Sequence, residues 1–261
     1  MFYNLKENEL RIIERIEEEF MRKILKTSKG CPITSLYLVL GQTPARFEIL
    51  KMRLLFLKYV LEQPLQSIIY RMLKLQLEKP TRGDWASSCL KDLENINLKL
   101  TLEQIKSMKK EKYKSIVKEK VSEAALKYLI NKQGKKGREI KYPSLEMSEY
   151  LLPYNKQSIE EKREMFAVKT SMVNITANFS TNSETKCECG QREEMKHIYE
   201  CKIYNKENPE VEFEKIYNGN LYEQKMVFKK FKQNMEKREK MNQISHPSEQ
   251  SDKLLFTVWD K

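Results

Sequence analysis

Along the chain, apolar residues recur every three or four positions between short breaks at Gly and Pro, the pattern of amphipathic helices rather than strands. From Leu5 to Lys26 the apolar positions Leu10, Ile13, Ile16, Phe20 and Ile24 lie between charges of both signs. They predict a surface-packed helix closed near Gly30. Pro32 opens a short apolar helix, Ile33 to Leu40, ended by Gly41. Pro44 opens a longer one whose run Met52, Leu54, Leu55, Phe56, Leu57, Val60 and Leu61 predicts the central core helix. Pro64 starts the next, to about Leu77. Asp84 reads as the N-cap of a helix with Trp85, Leu90 and Leu93 as buried candidates. Thr101 caps a basic helical region running to about Gln133, in which Tyr113, Val117, Val121, Ala124 and Tyr128 form one stripe at 100° per residue. Ser158, with Glu161 at capping-box spacing, opens a helix expected to reach about Asn178. A charged helix over roughly Val211 to Lys240 then leads to a tail, Ser245-His246-Pro247-Ser248, with the composition of a disordered segment.

Composition agrees with long charged helices. The 261 residues contain seven Gly and eight Pro, and their length suffices for one large or two smaller helical domains without disulfides. The expected fold is all-α: a multi-helix bundle over residues 3–178, a small CCHC zinc knuckle over 184–203, and a charged helical tail over 204–261. No apolar run approaches the ~20 residues of a membrane span, and the first residues lack the apolar core of a signal peptide. An intracellular protein of cytoplasm or nucleus, with no membrane partner, is expected, so the sequons at Asn174 and Asn178 are read as chance.

The net charge of +12 changes the picture further, because it is concentrated. Between Lys99 and Lys141 stand fourteen Lys or Arg against five Glu. Lys114, Lys118, Lys120 and Lys127 flank the apolar stripe, and Lys132, Lys135, Lys136 and Arg138 populate a Gly-containing loop. Clustered cations favour a polyanion, since each phosphate neutralised releases condensed counterions. These eight residues are therefore candidate contacts to RNA or DNA. The same lysines would also suit a solvated helix that packs on a protein partner.

The most specific chemistry lies in Cys187-Glu-Cys189-Gly-Gln-Arg-Glu-Glu-Met-Lys-His197-Ile-Tyr-Glu-Cys201. Zinc takes four N or S ligands at tetrahedral corners. Cys187 and Cys189 on a tight turn supply one pair, with Gly190 turning the backbone away. His197 and Cys201, at i and i+4 on a short helix, supply the other. Three thiolates and an imidazole leave no open position, so zinc here would be structural and would contribute folding energy. Cys31 and Cys89, without Cys or His neighbours, read as packed or exposed thiols, and His246 as a tail residue. Catalytic patterns are absent: Asp84, Asp92, Asp252 and Asp260 are never adjacent, and phosphate loops and nucleophile elbows are missing.

Several segments, in this order, resemble the C-terminal region of non-LTR (LINE-type) retrotransposon reverse transcriptases. They are Leu36-Tyr-Leu-Val-Leu-Gly41-Gln-Thr-Pro44-Ala-Arg46-Phe, Arg53-Leu-Leu-Phe-Leu57-Lys-Tyr-Val-Leu61, Gly83-Asp84-Trp85, Asp92-Leu93-Glu94, Ile105-Lys106-Ser-Met108, Val117-Lys118, Glu123-Ala-Ala125, Tyr150-Leu-Leu-Pro153 and the Cys/His cluster. The resemblance covers roughly residues 3–203. It implies a region following the polymerase core that helps bind template RNA or target DNA, with a polymerase core of the same element as a partner. The implied zinc ligands are Cys187, Cys189, His197 and Cys201. The departure is the first Cys pair, which encloses one residue where the family usually has two. Polymerase motifs belong to the preceding part of such proteins, so the resemblance carries no catalysis to this chain. A helical scaffold fragment, or a relic of such an element, are the rival readings.

Overall fold

The computed structural model describes residues 5–27, 31–81, 83–133, 143–152, 156–170, 173, 186–205 and 209–245, with side chains described as far as Met241. Its regular structure is helical, and among the described residues there is no strand, only an isolated antiparallel bridge between Lys186 and Arg192. No described helix is long and apolar enough to cross a membrane. Lys135, Lys136, Arg138 and the tail from His246 lie outside the described residues. The helices fall into two compact units, one within Met1–Met21 and Gly41–Lys135, the other within Arg22–Leu40 and Lys136–Lys261.

The first unit is built around α3 (Ala45–Leu61), which touches α4 (Ile68–Glu78), α5 (Trp85–Asn95), α6 (Leu102–Ser107) and α7 (Lys110–Gln133). Leu54, Leu57, Val60 and Leu61 are buried, as expected of a central helix, whereas Met52 is exposed. They pack with Cys89, Leu93, Ile105, Tyr113, Val117 and Val121. Leu90, expected inside, is exposed. Asp84 caps α5 by accepting from Ser87 N at 2.6 Å. Helix α4 begins at Ile68, because Ser67 caps it by accepting from Tyr70 N.

The basic region expected as one helix is two. Thr101 and Gln104 form a reciprocal capping box that starts α6. The chain then turns extended at Met108. Lys58, buried on α3, donates to the carbonyls of Ile105 (2.8 Å) and Met108 (2.5 Å) at that break. An ammonium at the carbonyl end of a helix satisfies orphan acceptors and complements the dipole. On α7 the buried line is Tyr113, Val117, Val121, Ala125 and Leu129, all at i+4 steps, instead of ending in Ala124 and Tyr128. Tyr113 also donates its hydroxyl to Leu54 O at 3.1 Å.

Helix α1 (Glu7–Leu25) departs most from its pattern. Its apolar stripe faces outward, with Ile16 and Phe20 each 64% exposed, while Glu14 is buried. The reason lies in its partner. Arg46 grips Glu14 with two nitrogens, at 2.5 and 2.9 Å, and Glu17 accepts from Ala45 N at 3.1 Å, the first helical residue of α3. A bidentate guanidinium and a helix N-terminus thus hold the acidic face inward.

In the second unit α2 (Ile33–Leu40) is buried from Thr34 to Val39. Ser148, before a 3-10 turn (Glu149–Leu151), donates its N–H to Val39 O at 3.1 Å. Helix α8 (Ile159–Lys169) opens with the expected capping box of Ser158 and Glu161, and Met165, Phe166, Ala167 and Val168 are all buried. Its described span ends at Lys169, and the hydroxyl of the following Thr170 bonds back to Phe166 O at 2.8 Å. The expected continuation to about Asn178 lies, apart from Val173, outside the described residues. After α9 (Met195–Glu200) the expected single charged helix is again two, α10 (Lys215–Asn218) and α11 (Leu221–Ser245). At the break, a side chain at Gly219 would place Cβ 2.5 Å from Lys215 O, so only glycine fits. Asn220 and Glu223 then cap each other's backbone N–H and start α11.

Candidate metal centre

The Cys/His segment builds its geometry from two local devices. Gly190 N donates to Cys187 O and Cys187 N to Gln191 O, both at 2.8 Å, closing a tight turn. Gly190 sits there at φ +87°, a conformation that side-chain-bearing residues rarely adopt. This turn brings Cys187 and Cys189 to one side. The second device is α9, where Cys201 N donates to His197 O at 2.7 Å, so His197 and Cys201 share a helical face.

The two pairs converge. Cys187 Sγ lies 3.7 Å from Cys201 Sγ, and Cys189 Sγ lies 3.3 Å from His197 Nε2. One ligand atom from each residue falls within 4.8 Å of every other. A tetrahedral metal with M–S near 2.3 Å and M–N near 2.05 Å requires edges of roughly 3.8 Å between sulfurs and roughly 3.5 Å between sulfur and nitrogen. The cluster can therefore hold a metal ion, and the single residue between the first two cysteines does not keep them from converging.

Electrostatics points the same way. Burial pushes the Cys187 thiol up, but hydrogen bonds from the Cys189 backbone, Tyr204 and its partners outweigh it and bring the pKa to about 7. Burial, joined by the neighbouring Cys187, carries Cys201 up to about 11. The two behave as a coupled pair in which one thiolate forms readily and resists a second. A cation among these sulfurs removes that repulsion.

What supports the cluster was not legible in the sequence. Tyr204 places its hydroxyl 3.5 Å from Cys187 Sγ. Asn205 binds the carbonyls of Tyr199 and Cys201, closing the end of α9. From α11, Asn234 donates to Ile198 O and Tyr199 O at 3.0 and 3.1 Å. Arg238 pairs with Glu193 at the other side of the segment, both buried. The only sequence signal for Asn234 and Arg238 is their place beside Phe231 and Met235, two polar residues on the buried face of a helix.

The predicted nucleic-acid contacts are less gathered. Lys114, Lys118 and Lys127 are exposed on α7, and Lys120 is bound to Glu123 at 2.7 Å. Lys132 lies over the Tyr128 ring at 5.6 Å. At 100° per residue, Lys114 and Lys118 fall on one flank and Lys120 and Lys127 on another, so they form two rims and not one patch. Compared with protein-family models, curated proteins and solved structures, the chain matches none. Fold and site together define a helical protein with a Cys3His cluster that could hold a metal ion.

Proposed function

We propose that this chain is a nucleic-acid-binding region of a non-LTR retrotransposon reverse transcriptase, following its polymerase core, and that Cys187, Cys189, His197 and Cys201 hold a structural zinc. Thiolate-rich tetrahedral sets favour zinc, and four protein ligands leave no position for a substrate. The observation that carries the binding role is the state of the α7 lysines. Of Lys114, Lys118, Lys120, Lys127 and Lys132, Lys120 alone has a carboxylate within 4 Å among the described residues. Unpaired, solvated cations concentrated on one helix suit phosphate, which they meet without first breaking an ion pair.

Nucleotidyl transfer is not assigned to this chain. Asp84 is engaged as a helix cap and Asp92 with Arg53, so neither is placed to hold catalytic metal ions. Primer extension by the purified chain, lost on mutating its own acidic residues, would overturn this.

A second reading, a protein-interaction module, draws on a separate observation: Ile68, Met72 and Leu75 of α4 are more than half exposed. Salt separates the two. If α7 binds phosphate, replacing Lys114, Lys118, Lys127 and Lys132 by Gln weakens binding to single-stranded RNA and flattens the log K against log salt plot, by about 0.7 for each phosphate no longer neutralised. Unchanged affinity and slope would favour the interaction module.

A further inference from the structure

Helix α1 is inverted relative to its own amphipathic pattern. Ile12, Ile16 and Phe20 are 58%, 64% and 64% exposed on one line at i, i+4 spacing, and Ile24 continues it. The opposite face is fixed by the Glu14–Arg46 pair, so the apolar face cannot turn inward without breaking it. A contiguous apolar stripe on a charged helix marks an interaction surface.

The ends of the stripe say what covers it. Glu9 lies on the same face about one turn before Ile12 and Ile13, and Lys23 about one turn after Phe20; both are exposed. Such a face complements itself when two copies run antiparallel. A two-fold axis at Ile16 sets Ile16 on Ile16, Ile12 against Phe20, and Glu9 opposite Lys23 at both ends. Parallel pairing would put Glu9 on Glu9 and Lys23 on Lys23. The next antiparallel register, with the axis midway between Ile16 and Phe20, lays Lys23 on Ile13 and leaves Glu9 without a charge. Opposite charges at the two ends thus select orientation and register by disfavouring the alternatives.

We propose that α1 pairs antiparallel with α1 of a second copy of this chain, in the register centred on Ile16, forming a reversible homodimer with an isologous interface. A 19-residue helix is about 28 Å long, and a contact strip about 12 Å wide covers roughly 350 Å² per copy. That is under half of the ~800 Å² per partner typical of stable complexes, so the dimer is weak and reversible.

Sedimentation of the full chain from about 1 to about 200 µM tests this. The wild type is expected to pass reversibly from monomer to dimer, and Ile16→Glu to weaken the dimer at least about tenfold. Glu9→Lys and Lys23→Glu should each weaken it, and the double reversal should restore it, with circular dichroism confirming that all variants fold. Ile16 and Lys23 are exposed; Glu9 is exposed too but accepts from Lys6 N at 2.6 Å beside the start of α1, so its reversal is read against Glu9→Gln, which keeps that acceptor without the charge. A wild type that stays monomeric throughout, or a double reversal no better than the single ones, overturns the proposal, leaving the stripe for a different partner in the first case and a different register in the second.

Discussion

The replacement Asp92→Asn offers a quantitative test of the first unit's interior. Asp92 is 6% exposed and its carboxylate lies 2.5 Å from Arg53. Two effects oppose each other there. Burial disfavours the charged carboxylate, and the guanidinium favours it. Burial wins, holding the Asp92 pKa at about 6 against an ordinary 3.8. The folded state therefore holds a proton that the unfolded chain has already lost, and stability falls as pH rises from about 3.8 to about 6. At 1.36 kcal/mol per pH decade, the loss amounts to about 3 kcal/mol. Asparagine copies the neutral carboxyl in shape and never ionises. Measured against wild type, Asp92→Asn should thus be about 3 kcal/mol more favourable at pH 7.5 than at pH 3.5. Urea unfolding reports this through Trp85, on the same helix as Asp92 and 5.6 Å from Phe56 by ring centroids. A Trp259→Phe background leaves Trp85 as the only indole. If the attraction of Arg53 outweighed burial, the sign would reverse and the variant would lose most at high pH. That result would refute the reasoning.

Two further outcomes are expected. Metal analysis should give about one zinc per wild-type chain and little in Cys201→Ser, and chelation should increase amide exchange in α9 and in α11 around Asn234, which holds the end of α9; equal zinc in both proteins would remove the site. Lys58→Met should cost about 2–4 kcal/mol, because it leaves buried carbonyls at the end of α6 without a donor, and the loss should appear in denaturant unfolding of the first unit. A variant as stable as wild type would mean that water replaces the ammonium there.

The sequence by itself determined what depends on near neighbours along the chain. Gly, Pro and capping residues placed α2, α3 and α5, and the cap at Thr101 and the box at Ser158 act within four residues, so they are readable without a fold. The Cys/His cluster was legible for the same reason: its turn and its i, i+4 pair are both local, and only their convergence to 3.7 and 3.3 Å is tertiary. Tertiary structure decided which face of a helix is inside. The periodicity of α1 marks an apolar stripe, but Arg46, 32 residues from Glu14, turned that stripe outward. Likewise Lys58 meets the end of α6 from 47 residues away, and Asn234 closes α9 from 36. An amphipathic pattern records that a helix has two faces. Which face becomes core depends on buried ion pairs and orphan carbonyls supplied by distant residues, and those are fixed only once the chain has folded.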